Sequence, residues 1–103
     1  MIEADTSELQ NAVERMHGGK ARLLQSVPVK EVHKGKTVWE GVVHVFELVG
    51  HPAASRAYAW SSPIEGSDQR QFFAVLHVPP VTSPADAVRA AIVAEHNRAE
   101  NSN

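Results

Sequence analysis

Six histidines in 103 residues are the groups in this sequence best placed to do chemistry. Their free pKa lies near ~6.5, so protonating all six would carry the formal charge from −2 to +4 as the pH falls below neutrality. His44 stands four residues after Glu40 in the apolar run Thr37–Gly50, and the two share one strand parity. His77 lies near the end of a second run and His51 at a Gly-His-Pro corner. A zinc site needs three ligands converging at ~2.0–2.2 Å, and no His-x-His or His-Glu-x-x-His spacing occurs, so no metal site is expected. Ser61, Ser62 and Ser67 lie near Asp68 with His77 one strand away. Without a Gly-x-Ser-x-Gly elbow, these serines read as turn formers. Gly18-Gly19-Lys20 is a helix stop, not a phosphate loop, and the chain has no cysteine to serve as nucleophile, thiolate ligand or disulfide. No catalytic residue and no cofactor is expected. An enzyme would have to use His44 or His77 against a carboxylate in a sheet-face pocket.

A second constellation is aromatic. Arg56, Tyr58 and Trp60 alternate with Ala57 and Ala59, and Phe73 and His77 share a parity on the next strand. The alanines and the Phe72/Leu76 side make a smooth floor for helices, which places the aromatics on the opposite, open face. The candidate interface or ligand face is therefore Glu40, His44, Arg56, Tyr58, Trp60, Phe73 and His77. Exposed aromatic patches mark interaction surfaces, so the expected use is self-association as a homodimer, with a small-molecule ligand as the alternative.

The elements that must position these residues follow from periodicity. Ser7 with Gln10 forms a capping box, with Thr6 as a competing cap, and Leu9, Ala12, Val13 and Met16 make the apolar stripe of a short helix ended by Gly18-Gly19. Residues 1–5 are expected to fray. Residues 21–33 and 37–49 pair as a hairpin around His33-Lys34-Gly35-Lys36, with Gly35 supplying a positive φ and Pro28 confined to an edge strand or a bulge. The run 37–49 is largely apolar on both parities, which marks a central strand covered at least partly on each face. Strands over 55–61 and 71–78 form a second hairpin. Ser83 as N-cap, Pro84 at the first helical position and Asp86 near the positive helix end start a final helix that should fray after about His96. The expected fold is a single α+β domain with its ordered core at about 6–97. It is a four-stranded antiparallel sheet in the order α-β-β-β-β-α, with both terminal helices on one face.

Composition bounds the rest. The acidic, polar start carries no apolar signal-peptide core, and no run approaches the ~20 apolar residues of a membrane span, so a cytoplasmic, membrane-free protein is expected. Residues 17–36 hold five Lys or Arg against one Glu, and the helix-sheet-helix order resembles double-stranded-RNA-binding domains. Those domains carry lysines where this chain has Ser83-Pro84-Ala85-Asp86. A carboxylate there repels phosphate, so nucleic acid is not the expected partner. As a whole, TVWEGVVHVFELVGHPAASRAYAWSSP followed by RQFFAVLHVPPVTSPADAVRAAIVAEH resembles small bacterial proteins of unknown function, over about residues 20–98. That resemblance implies no activity.

Overall fold

The computed structural model of the protein describes residues 6–64 and 66–101, with side chains as far as Glu95. The elements run α1 (Thr6–His17), β1 (Lys20–His33), β2 (Lys36–Val49), β3 (Arg56–Pro63), β4 (Arg70–Leu76) and α2 (Pro84–Asn101). The four strands form one antiparallel sheet in sequence order, the expected α+β architecture. The expected fraying of residues 1–5 lies outside the described residues. The final helix continues to Asn101 instead of ending near His96.

Turn chemistry sets the strand pairing. Lys34 and Gly35 both take positive φ, 52° and 76°, so the β1–β2 turn has left-handed backbone at both central positions and suits the twist of a two-residue hairpin. Gly18 and Gly19 end α1 at φ 85° and 77°, and Glu14 Oε2 accepts the Ala21 N–H at 2.8 Å, tying the helix to the first strand. At α2, Asp86 N donates to Ser83 Oγ at 3.1 Å, and the Asp86 carboxylate accepts from Thr82 N and Oγ1 at 3.2 and 3.1 Å. Ser83, Pro84 and Asp86 thus act as their sequence implies.

The two helices do not share a face. Leu9 and Val13 of α1 pack with Phe46, Leu48, Ala57 and Ala59, and with Phe72, Ala74 and Leu76. Ala87 and Val88 of α2 pack with Val43, Val45, Tyr58 and Trp60, and with Phe73 and Val75. These sets take opposite parities of the same strands, so α1 and α2 cover opposite sides of the sheet. The expectation of both helices on one face is corrected here. Val43, Val45, Tyr58 and Trp60 form too large an apolar surface to leave to water, and the alanine side of α2 closes over it. A bulge at Leu24 splits β1 between the two layers. Ala21 and Leu23 pair with Leu48 and Phe46 on the α1 side, whereas Val27 and Val29 pair with Val43 and Gly41 on the α2 side.

The α1 layer is incomplete. Twelve residues make a helix about 18 Å long, and they cover only the half of their face nearest Phe46 and Leu48. Beyond it the β1–β2 arm carries Val32, Val38 and Val42 at 54%, 50% and 38% exposure. On the other side the arm is held by α2, where Arg89 Nε donates to Glu31 Oε1 at 2.9 Å and Nη2 to Oε2 at 3.3 Å.

Candidate functional site

The two hairpins part company half-way along the sheet. β2 and β3 pair only from His44↔Ala59 to Glu47↔Arg56, while β2 continues back to Lys36 and β3 onward to Pro63. The result is a fork. On its α1 side lies a cleft of about 150 Å³, walled by Glu40, Gly41, Val42 and His44 on one arm and by Ser61, Ser62, Pro63 and Arg70 on the other. Trp39 and Leu9 complete it.

Each wall has a local cause. Trp39 reaches across the fork, its indole Nε1–H donating to Ser62 Oγ at 3.2 Å. The ring lies over Gly41, where an added Cβ would sit 2.9 Å from two ring carbons, so this position must lack a side chain. On the α2 side Trp39 meets Trp60 edge-on at 6.0 Å and 62°, and Trp60 stacks on Phe73 at 5.3 Å and 11°. Trp39 thus stands between the polar cleft and a small apolar crevice of about 70 Å³ beneath α2. On the other arm the Arg70 guanidinium turns back onto β3, with Nε donating to Ser61 Oγ at 2.7 Å and Nη2 to the Ser61 carbonyl at 3.2 Å. His44 Nδ1 and the Ser26 hydroxyl are hydrogen-bonded across β1 and β2, 2.8 Å apart.

The candidate face expected from the sequence does not assemble. Tyr58 and Trp60 are 3% and 2% exposed beneath α2, with Phe73 half-buried beside them, so the aromatic side is not open. Glu40 and His44 project from the other side, since His44 pairs with Ala59 and shares its parity. Self-association through an open aromatic face therefore has no such face to use. Arg56 is exposed at the far end of β3, where its carbonyl accepts the His77 N–H at 2.9 Å. His77 Nδ1 is hydrogen-bonded to the Tyr58 hydroxyl, and their rings lie 5.7 Å apart. Burial raises the Tyr58 pKa above its usual value, against a lowering by Arg56, with Asp86 adding to the rise. His44 and His77 therefore lie on opposite sides of the sheet and cannot share a ligand.

The serines divide the same way. Ser61 faces Arg70, Ser62 faces Trp39, and Ser67 Oγ accepts the Gln69 N–H at 3.0 Å within the β3–β4 loop, its turn-forming role. No group of three or more His, Asp or Glu among the described residues is placed to hold a metal ion. No described helix is long and apolar enough to cross a membrane.

Sequence reasoning singled out Glu40 and His44 but grouped them with the aromatic residues of the other side, read Ser61 and Ser62 as turn formers, and passed over Trp39 and Arg70. One signal was available. A glycine in a strand interior, two residues from a tryptophan on the same parity, marks a ring folded over the backbone. No protein-family model matches the chain, and no curated protein or solved structure matches it.

Proposed function

We propose that the protein is a small binding module whose ligand site is the fork between β2 and β3, on the α1 side. The observation that carries this is the early end of β2–β3 pairing. It leaves a concave site where Arg70, Ser61, Ser62, Glu40 and His44 supply polar groups and Leu9, Val42 and Trp39 supply apolar wall. A few placed polar groups in a concave, partly apolar site are what small ligands and peptide segments need for orientation and affinity. The test is amide and indole NMR with small polar fragments and blocked amino acids. Shifts should concentrate on the Trp39 indole, Val42, Ser61 and Ser62 and weaken in Arg70→Ala. Shifts scattered over other surfaces, or none, would overturn the assignment.

One observation favours a second reading, acyl transfer by Ser26 with His44 as general base: the 2.8 Å contact between them. Ser26 is exposed on a sheet surface and is not among the residues that wall the fork cleft, which makes this reading the weaker. It requires hydrolysis of p-nitrophenyl acetate that is lost equally in Ser26→Ala and His44→Ala. Activity unchanged in both variants removes it.

A further inference from the structure

We infer that the occupant of the fork is an extended peptide segment of a partner protein, taken up by main-chain pairing with the inner edge of β2. This rests on the fork being the ligand site and adds what the ligand is. The phase of the ladder comes first. Leu48 N donates to the Ser55 carbonyl at 2.8 Å, so the even-numbered residues of β2 turn their main-chain groups towards β3. His44 meets Ala59 in that ladder. The next two even residues, Val42 and Glu40, turn their N–H and C=O groups into the fork, where among the described residues no strand pairs with them. The same alternation puts Pro28, opposite Val42, at a position whose main chain faces away from β2. That independently suits a residue without an N–H.

The other edges of the sheet are each interrupted at particular points. On the facing side of the fork the Ser61 carbonyl is already taken by Arg70, and Pro63 has no N–H to offer. On the outer edge of β1, Pro28 removes a donor and the Leu24 bulge breaks the line. On the outer edge of β4, His17 Nε2 is hydrogen-bonded to the Ala74 carbonyl at 2.8 Å. Proteins protect strand edges in these ways against unwanted pairing. Here the protection stops at Val42 and Glu40. An edge left unblunted and set inside a cleft is suited to strand addition, where main-chain bonds supply affinity and side-chain pockets supply selectivity.

The fork also selects its occupant. Its far wall is the β3–β4 hairpin, whose facing edge is already capped at Ser61 and Pro63, so an added strand would pair with β2 alone. Successive side chains of an added strand alternate between the faces. One would enter the polar cleft beside Ser61 and Arg70, and the next would meet the Trp39 ring. The matching segment is short and extended, with a small or polar residue at the cleft position flanked by apolar ones.

The probe is a set of acetylated, amidated pentapeptides with threonine and valine flanking a varied centre. Each is also made with N-methyl groups on one or the other set of alternate residues. Binding is followed by NMR, with amide exchange at Glu40 and Val42 as the direct readout. The expected result is slowed exchange at these two amides with the parent peptide. One N-methylated series should lose binding at least ten-fold while the other keeps it, because only alternate residues face the edge. If both series bind as the parent does, main-chain pairing is wrong. If no peptide perturbs Glu40 and Val42 while small polar fragments still shift Ser61 and Ser62, the peptide inference falls and the fork site stands. If neither class touches the fork, both fall.

Discussion

Trp60→Ala is the substitution that discriminates most sharply between a covered and an open aromatic face. Trp60 is 2% exposed, stacked on Phe73 and edge-on to Trp39. A buried tryptophan removes on the order of 200 Å² from water, which at ~25 cal/mol per Å² sets an upper bound of about 5 kcal/mol. Truncation of a core tryptophan costs ~3–5 kcal/mol once the cavity left behind is included. A domain of this size is stable by ~5–15 kcal/mol, so the variant should lose a large share of its stability. At ~4–8 °C per kcal/mol, even the low end of that cost lowers Tm by more than about 10 °C. The assay is urea denaturation followed by circular dichroism at several protein concentrations, with light scattering on the same samples. A large fall in midpoint, independent of concentration, is the expected result. A variant within about 1 kcal/mol of wild type that instead shifts an oligomeric equilibrium would show Trp60 to be an interface residue, and the packing of α2 described here would be wrong.

Three further outcomes are expected. Gly41→Ala brings a methyl against the Trp39 ring, and overpacking of ~1–3 kcal/mol should exceed the ~0.5–1 kcal/mol that alanine gains over glycine in a strand. A displaced Trp39 indole N–H resonance checks it, and an unchanged one refutes the ring placement. Tyr58→Phe should cost about 0.5–1.5 kcal/mol near neutral pH through the lost hydrogen bond to His77. Because burial raises the Tyr58 pKa, that group favours the folded state below pH ~10 and loses this contribution as the pH rises through its folded value, so denaturation midpoints of wild type should fall more steeply above pH 10 than those of the variant. Asp86 is shifted the other way, its carboxylate favoured first by the Thr82 N–H, then by the Thr82 hydroxyl, with Ser83 and Arg89 adding to this. Its contribution is present above pH ~3.9 and lost as the pH falls through its lower folded pKa, so wild type should lose more stability than Asp86→Asn between pH 5 and 2.

Element order and strand parity were legible because they depend on local patterning. The β1–β2 hairpin follows from Lys34-Gly35, the α2 start from Ser83-Pro84-Ala85-Asp86, and the inner position of β2 from its two apolar parities. Those two parities also held the answer to where the helices go. A strand apolar on both sides needs a cover on each, and two helices available for one sheet imply one per face. Arg56, Tyr58 and Trp60 pointed the other way because Ala57 and Ala59, on the opposite parity, read as the floor for both helices. In the fold Arg56 sits at the strand end in water while Tyr58 and Trp60 run inward under α2. The fork could not be read from pattern at all. It depends on where β2–β3 pairing stops, which is set by Trp39 bridging to Ser62 and by Arg70 folding back on Ser61, contacts between side chains 23 and 9 residues apart in sequence.

The energetics of that fork explain why it is the place to look for function. Continuing the β2–β3 ladder as far as Pro63 would pair both main-chain groups of Val42 with Ser61 and the Glu40 N–H with the Pro63 carbonyl, at no cost in sequence length. Each intramolecular hydrogen bond is worth about 0.5–1.5 kcal/mol net, so stopping early forgoes stability that the chain could have had. Arg70 and Pro63 act against that continuation from the β3 side, while on β2 the Trp39 ring lies over Gly41 and its indole bonds Ser62 across the gap. A mere defect in pairing would leave both edges of the gap alike. Here one edge is capped and the other is not, and that asymmetry is what a site open to a third strand requires.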